Sequence, residues 1–191
     1  MGIFRFKQFS VKDDVSAMKV GTDAVMLGGV MTLSSEDRTL LDIGTGSGII
    51  SLMVAQRLSM MKSDVQSFFI DAIDVDSGAA VEAAENFSAS KWGDYLRSIH
   101  SSLEDYSELL RSRDFGLVCK YDVIFSNPPY FVNSLTSPNQ ARTTARHTTS
   151  LSFEQLASDA ERLLAPEGVL SVVLPTDAVA DMTLAAARKG L

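Results

Sequence analysis

The stretch TLLDIGTGSGII, residues 39–50, joins a short apolar run to three glycines at alternate positions. The run TLLDI has the length and composition of a buried strand, and residues 48–58, GIISLMVAQRL, have those of a helix that packs on a sheet. Gly44, Gly46 and Gly48 allow tight turns and close approach of another molecule to the backbone, while the start of the helix offers free N–H groups to the loop. The stretch therefore predicts a strand, a ligand-binding loop and a helix.

Strand-like and helix-like segments alternate from this loop to the end of the chain. Further strands are predicted at 67–74, 96–101, 121–126 and 169–175, and further helices at 77–90, 152–168 and 177–189. Ser77 is the expected N-cap of the helix that it begins, and Pro166 with Gly168 is expected to end the helix before the last strand. Such alternation is typical of an α/β fold in which helices cover both faces of a parallel sheet, a doubly wound, Rossmann-like domain.

The composition fits a single globular domain. Of the 191 residues, 46% are hydrophobic and 21% are charged, which is ordinary for a chain with a substantial core. The single cysteine, Cys119, excludes an intramolecular disulfide and favours the reducing cytoplasm. The first residues lack the apolar run of a signal peptide, and no apolar segment approaches the ~18 residues of a membrane span. One cysteine and two histidines without ligand spacing argue against a metal site, and the oligomeric state is left open.

The spacing of the glycines and the acid before them narrow the choice of ligand. The spacing is G-x-G-x-G, whereas dinucleotide-binding loops read G-x-G-x-x-G. Asp42 would repel a phosphate at this loop but suits a ligand that carries an ammonium group. The motif resembles D-x-G-x-G-x-G, the first motif of class I S-adenosylmethionine-dependent methyltransferases, and the resemblance implies that the loop backbone holds the amino-acid end of that cofactor. A dinucleotide site and a turn without a ligand are the alternatives.

Two positions at later strand ends complete the expected cofactor site. Asp74 ends the second predicted strand, where a carboxylate can accept hydrogen bonds from both hydroxyls of a ribose. Asp76 is expected instead to be a favourable charge at the N-terminus of the next helix. At the third strand end many class I methyltransferases have an aspartate that meets the adenine amino group, but this chain has Ser102. Ser102 can accept that hydrogen bond, with Glu104 or a backbone group as the alternative.

Directly after the fourth predicted strand the chain reads NPPYF. The side-chain oxygen of Asn127 and the carbonyl of Pro128 can accept hydrogen bonds from the two N–H groups of an amino group on a planar ring. The nitrogen lone pair of that amino group then points at a methyl donor beside Asn127. Pro129 helps to keep these acceptors rigid, and Tyr130 can stack on the ring, a contact worth ~1–3 kcal/mol for a nucleobase. Phe131 either lines the same slot or turns into the core. The alternative for the whole stretch is a sharp turn with surface aromatics.

Three segments together resemble one family of RNA-modifying enzymes. The NPPY sequence is similar to the N/D/S-P-P-Y/F/W motif of amino-methyltransferases, which act on adenine N6, cytosine N4, guanine N2 or a glutamine amide. Residues 4–29, FRFKQFSVKDDVSAMKVGTDAVMLGG, resemble the N-terminal signature of bacterial tRNA1(Val) adenine N6-methyltransferases, and residues 139–156, NQARTTARHTTSLSFEQL, resemble the segment after their NPPY motif. The resemblance implies methylation of the adenine just 3′ of the anticodon of tRNA1(Val), with S-adenosylmethionine as the cofactor.

The same resemblance implies roles for residues near the N-terminus. Lys19, Gly21 and Thr22 would lie near the cofactor and the target pocket. Gln8 and Phe9 would lie over the cofactor or the base.

The resemblance also implies how the single domain is organised. Residues 1–38 would form a segment that covers substrate and cofactor, and residues 39–191 would form the Rossmann-like core. The fold of the family usually continues after the last helix with an antiparallel strand pair at the sheet edge. Because this chain ends at Leu191, that pair is expected to be missing from it.

The charge distribution bears on the expected tRNA partner. The net charge of −7 argues weakly against non-specific binding to nucleic acid. Yet no Asp or Glu occurs between Val123 and Phe153, where Arg142 and Arg146 can meet phosphates, or can be a solvated pair of charges. Two other functions remain open: the same chemistry on a release-factor glutamine or a ribosomal guanine, and a non-catalytic cofactor-binding or RNA-chaperone module.

Overall fold

The computed structural model describes residues 2–61, 68–112, 120–128 and 151–191. Its elements follow one another as β1 (Ile3–Arg5), β2 (Ser10–Lys12), α1 (Thr22–Val30), β3 (Thr39–Ile43), α2 (Ile49–Met61), β4 (Phe69–Asp74), α3 (Ser77–Ser88), a 3-10 turn (Gly93–Tyr95), β5 (Leu96–His100), α4 (Leu103–Ser112), β6 (Tyr121–Ser126), α5 (Phe153–Leu163), β7 (Leu164–Val172) and α6 (Val179–Lys189). Strands β1 and β2 pair with each other as a separate antiparallel hairpin.

Strands β3 to β7 form one parallel sheet in the order β5-β4-β3-β6-β7. β3 lies at the centre, with Leu41 in register with Asp71 of β4 and with Ile124 of β6. The chain runs outward from β3 through β4 to β5 and then returns to β6 on the other side, so the strand order reverses between β3 and β6. Open α/β sheets bind ligands at the carboxyl ends of the strands at such a reversal. The topology confirms the predicted doubly wound fold.

Helices cover both faces of the sheet. Successive residues of a strand point to opposite faces, so Leu40 belongs to one hydrophobic core and Leu41 to the other. Side chains of α1, α2 and α3 contribute to the first core, and side chains of α4, α5 and α6 contribute to the second. Because β3 is buried on both faces, its sequence is a continuous apolar run rather than an alternating one.

The predicted boundary between the last strand and the helix before it is wrong. The helix predicted at 152–168 ends at Leu163, and the strand begins at Leu164, whose backbone is already extended with φ −71° and ψ 143°. Pro166 and Gly168 therefore lie inside β7, where the pairing with β6 is irregular. A proline is tolerated at such an irregularity because no ladder hydrogen bond needs its missing N–H.

Other local features also differ from the sequence analysis. The N-cap of α3 is Asp76 rather than Ser77, and its carboxylate accepts a hydrogen bond from the N–H of Ala79 at 3.0 Å. Helices α1 and α4 and the hairpin of β1 and β2 were not predicted. All of these elements are short, and neither α1 nor the hairpin shows a clear apolar periodicity.

A buried carboxylate joins four elements on the second face of the sheet. Asp71 of β4 accepts hydrogen bonds from the hydroxyls of Tyr106 at 2.8 Å and Tyr121 at 2.7 Å, and from Nε of Arg97 at 2.8 Å. Burial raises the pKa of Tyr106 to about 12 and also raises the pKa of Tyr121. Both hydroxyls therefore stay protonated near neutral pH, and the network links β4 to α4, β5 and β6.

Candidate functional site

The glycine loop (residues 44–48) joins the end of β3 to the start of α2. Its three glycines have φ values of 71°, 55° and 80°, a left-handed conformation that other residues rarely adopt. A side chain at Gly48 is excluded in addition, because a Cβ atom there would lie 2.4 Å from Cε1 of Phe87. The N–H groups of Gly44 and of the next residue both donate to the carbonyl of Ile73, at 2.9 and 3.0 Å. These bonds hold the loop against the end of β4.

Asp42 is fully buried next to the glycine loop. Its Oδ2 atom accepts hydrogen bonds from the hydroxyls of Thr45 at 2.8 Å and Ser51 at 2.7 Å. Burial raises the pKa of Asp42 to about 6, although both hydroxyls favour the ionised form. Its Oδ1 atom is also buried and has no hydrogen-bond partner among the residues that the structure describes. Because neither the residue nor this oxygen has accessible surface, the carboxylate acts on a ligand through its charge, which favours an ammonium group over a phosphate at the adjoining loop.

Asp74 ends β4, and its carboxylate contacts the glycine loop directly. Oδ2 accepts a hydrogen bond from the N–H of Gly46 at 2.8 Å, and Oδ1 accepts one from the N–H of Asp76 at 2.9 Å. The carboxylate is half-buried and each oxygen has a second lone pair, so it can still accept hydrogen bonds from a ligand. Asp76 instead caps α3, as expected for a charge at a helix N-terminus.

Ser102 lies between β5 and α4, one strand further from the loop than Asp74. Its hydroxyl accepts a hydrogen bond from the N–H of Asp105 at 3.0 Å and donates one to Asp105 Oδ2 at 2.7 Å, which makes it a cap of α4. The N–H of Ser101 donates to the carbonyl of Asp74 at 2.9 Å, so the ends of β4 and β5 are joined. The predicted contact of Ser102 with an adenine remains a prediction.

Asn127 and Pro128 directly follow β6. Ser126, the last residue of β6, is in register with Ile43, the residue before the glycine loop, and its hydroxyl donates to the Ile43 carbonyl at 2.8 Å. Asn127 is half-buried and Pro128 is buried. The two predicted acceptors therefore follow the end of β6, the strand that pairs with β3, and β3 leads into the glycine loop.

Several residues predicted to bind substrate lie outside the described part of the chain. They are Pro129, Tyr130, Phe131, Arg142 and Arg146. Their predicted roles stay predictions.

Gln8 and Phe9 precede β2. Gln8 is exposed, and its Oε1 accepts a hydrogen bond from Nζ of Lys91 at 2.7 Å. Phe9 is buried, with its ring stacked on Phe6 at 4.7 Å and edge-on to Trp92 at 5.9 Å. These contacts give Phe9 a packing role, and the predicted contacts of both residues with cofactor or base stay predictions.

Lys19, Gly21 and Thr22 lie between the hairpin and α1. Nζ of Lys19 donates to the carbonyl of Asp14 at 3.0 Å and lies 3.7 Å from Oδ1 of Asp13. Gly21 is the N-cap residue of α1, and Thr22 is the first residue of that helix. Both are exposed, and their predicted proximity to a cofactor stays a prediction.

The structure adds two functional candidates on α3 that sequence reasoning missed. Glu82 and Asn86 are buried and bind the backbone of residues 12–16, which we call the cover segment. Asn86 also donates to the carbonyl of Ser47 in the glycine loop at 2.8 Å. Their spacing places both side chains on one face of α3. The spacing of four residues between Glu82 and Asn86 was the signal that the sequence offered, although it does not show whether the two side chains are buried or exposed to solvent.

Within residues 2–61, 68–112, 120–128 and 151–191, no group of three or more His, Cys, Asp or Glu side chains could hold a metal ion. Among the helices of these ranges, none has both the length and the apolar character needed to cross a membrane.

Solved methyltransferases share this architecture. The S-adenosylmethionine-dependent methyltransferase from Agrobacterium tumefaciens is similar with a TM-score of 0.64 and 13% identity, over 98% of this chain and 57% of that one. Precorrin-6y C5,15-methyltransferase from Geobacter metallireducens is similar with a TM-score of 0.54 and 14% identity, over 95% of this chain and 76% of that one. These likenesses define the fold as that of a class I methyltransferase.

Sequence similarity identifies the family within that class. Residues 16–187 match the family model described as methyltransferase small domain. A protein of Phocaeicola vulgatus, named tRNA1(Val) (adenine(37)-N6)-methyltransferase, is 46% identical over 188 residues, which are 98% of this chain and 73% of that protein. A protein of the same name from Aeromonas salmonicida is 44% identical over 181 residues, 95% of this chain and 69% of its own length. The chain belongs to the methyltransferase small domain family, in agreement with the resemblance of its motifs.

Proposed function

We propose that this chain transfers a methyl group from S-adenosylmethionine to the N6 atom of an adenine in tRNA, namely adenine 37 of tRNA1(Val). The observation that carries the proposal is the position of Asn127 and Pro128 directly after β6, which pairs with the strand that leads into the glycine loop. The names of relatives that are 46% and 44% identical support the same substrate. A tRNA substrate implies a cytoplasmic location.

The glycine loop and the neighbouring strand ends are suited to hold the cofactor. The charge of the buried Asp42 carboxylate favours its ammonium group at the loop, and the carboxylate of Asp74 suits its ribose hydroxyls. Val75, which is 61% exposed beside Asp74, offers an apolar surface to an adenine ring. When bound, the cofactor supplies an electrophilic methyl group on a sulfonium sulfur. Further neighbours that we propose for it are Lys19, Gly21, Thr22, Ser102 and Asn127.

The residues after β6 are suited to hold the target amino group. The side-chain oxygen of Asn127 and the carbonyl of Pro128 accept hydrogen bonds from its two N–H groups and so orient the nitrogen lone pair. Pro129 limits the movement of these two acceptors. Because hydrogen bonds to these acceptors strengthen as the nitrogen gains positive charge, they stabilise the transition state more than the ground state.

The wider contacts with tRNA are assigned to residues on both sides of this site. Tyr130 stacks on the adenine, and Phe131 lines the same slot. Arg142 and Arg146 bind phosphates on an acid-free stretch of the chain. Gln8 and Phe9 complete the proposed substrate side.

Methyl transfer to tRNA from a strain that lacks this modification tests the proposal. The protein is incubated with that tRNA and with S-adenosylmethionine labelled on its methyl group, and the labelled nucleoside is then identified. We expect labelled N6-methyladenosine in tRNA1(Val), and none in tRNA that already carries the modification. Label in another nucleoside, or in a release factor and not in tRNA, would contradict the proposed substrate. A protein that transfers no methyl group would contradict the proposed reaction.

A further inference from the structure

Helix α3 binds the cover segment through a buried carboxylate that the proposed reaction does not use. Glu82 is 2% exposed. Its Oε1 atom accepts hydrogen bonds from the N–H groups of Asp14 at 2.6 Å and Val15 at 2.9 Å, and its Oε2 atom accepts one from the N–H of Ser16 at 2.9 Å. Three consecutive backbone N–H groups thus converge on one carboxylate, an arrangement that favours an anion.

The cover segment favours the ionised form of Glu82. Burial opposes ionisation, yet the three backbone N–H groups and the nearby Lys19 together hold the pKa of Glu82 below its usual value. Glutamine has the same shape, but its amide NH₂ group cannot accept a hydrogen bond. A glutamine at this position would therefore leave at least one of the three N–H groups unsatisfied, and the hydrogen bond of the Ser16 N–H is a buried one.

Asn86 connects the cover segment to the glycine loop. Its Oδ1 atom accepts a hydrogen bond from the N–H of Lys12, and its Nδ2 atom donates to the carbonyls of Lys12 and Ser47, each at 2.8 Å. The cover segment also approaches the loop closely, because a Cβ atom on Gly46 would lie 2.9 Å from Oγ of Ser16. The two side chains of α3 therefore determine how the cover segment lies against the loop.

We propose that Glu82 and Asn86 are positioning residues that hold the cover segment against the glycine loop and thereby set the affinity for S-adenosylmethionine. The proposal rests on the proposed function, in which that loop holds the cofactor. Displacement of the cover segment weakens cofactor binding, because Ser16 then no longer lies against Gly46 of the loop. The transfer step at saturating cofactor is unaffected, because the groups that orient the acceptor nitrogen lie at the end of β6.

Glu82→Gln is the test variant and Glu85→Gln is the matched control. Glu85 lies on the same helix and pairs with Nζ of Lys12 at 3.0 Å, but it is exposed, and such pairs contribute little. Three experiments are made: calorimetry for the Kd of S-adenosylhomocysteine, kinetics of tRNA methylation for kcat and for the KM of S-adenosylmethionine, and hydrogen exchange of the amides of residues 14–16 without ligand.

We expect Glu82→Gln to raise the Kd for S-adenosylhomocysteine about tenfold, the effect of one unsatisfied buried N–H group. The KM for S-adenosylmethionine should rise similarly while kcat is retained, and the amides of residues 14–16 should exchange faster. Glu85→Gln should change none of these quantities. A merely structural role of Glu82 would lower the melting temperature without this division between KM and kcat.

An unchanged Kd in Glu82→Gln, or a loss confined to kcat, would overturn the positioning role. If Glu82→Gln does not fold, Asn86→Asp takes its place, because it keeps the acceptor for the Lys12 N–H and removes the donor to two carbonyls. The same rise in Kd is expected for Asn86→Asp, and an unchanged Kd would overturn the positioning role. A wild-type protein that binds no S-adenosylhomocysteine would contradict the proposed function itself. Equal binding by wild type and variant contradicts only the positioning role.

Discussion

At the scale of single residues, the buried environment of Asp42 changes the pKa of its own carboxyl group. Burial raises its pKa from 3.8 to about 6. Between these two values the folded protein retains a proton that the unfolded chain has lost, so the free energy of unfolding falls as the pH rises through this window. Asp42→Asn cannot ionise and should not show this fall. Relative to wild type, its free energy of unfolding should increase by about 2 kcal/mol from pH 4 to pH 7, measured by urea denaturation without ligand.

An exposed carboxylate provides the control for this experiment. Asp94 lies in the 3-10 turn and is exposed. Asp94→Asn should leave the free energy of unfolding at pH 7 within about 0.5 kcal/mol of that of wild type, as is usual for a surface substitution. If the free energies of unfolding of Asp42→Asn and wild type differ by the same amount at pH 4 and at pH 7, Asp42 does not titrate as its burial requires.

Asn127 should separate catalysis from cofactor binding. Asn127→Ala removes one of the two proposed acceptors for the amino group, so kcat for tRNA methylation should fall by about 10²–10³, the usual loss for one preorganised group that stabilises a transition state. The Kd for S-adenosylhomocysteine, measured by calorimetry, should change far less than kcat, because Asn127 is only one of several proposed neighbours of the cofactor. Asn127→Asp keeps an acceptor oxygen and should retain more activity than Asn127→Ala. Equal kcat in wild type and Asn127→Ala would remove Asn127 from the mechanism.

At the scale of elements, the glycine loop is the junction that tolerates least change. Gly48→Ala combines a φ of 80° with a Cβ contact of 2.4 Å to Phe87. Left-handed strain and overpacking together should lower the free energy of unfolding by about 2–4 kcal/mol, as measured by urea denaturation. Gly29→Ala in α1 is the control, since a Cβ atom there meets nothing within 4 Å and alanine favours a helix. A loss of similar size in both variants would contradict the packing argument.

The elements differ in how far their sequences predicted them. The strand TLLDI and the helix after the glycines were predicted closely because apolar runs and glycine positions are local signals. The boundary at Leu163 and Leu164 was not, because pairing with β6 draws the residues around Pro166 into β7. Tertiary pairing there overrides the local preference of proline to end an element.

At the scale of the whole molecule, the proposed function requires an acidic chain to bind an anionic substrate. The net charge is −7, yet the stretch between Val123 and Phe153 contains no acid. If Arg142 and Arg146 each contact a phosphate, replacing both by glutamate should raise the KM for tRNA and reduce the dependence of log Kd on log salt concentration by about 2. The Kd for S-adenosylhomocysteine should not change. An unchanged KM and an unchanged salt dependence in this variant would show that the two arginines do not contact phosphates of the tRNA.

The sequence by itself determined the class of fold, the glycine loop and the positions of the candidate acceptors. These features depend on interactions between residues close in sequence. The carboxyl ends of parallel strands lie at the same edge of a sheet, so strand ends such as Ile43 and Ser126 come together. Only the tertiary structure decided between Glu82 and Glu85, which are the same residue type on one helix. The buried carboxylate of Glu82 accepts hydrogen bonds from backbone N–H groups that lie 66 to 68 residues away in the sequence, while Glu85 remains exposed. A carboxylate's partners at that separation are set by how α3 packs on the cover segment, and no local pattern encodes that packing.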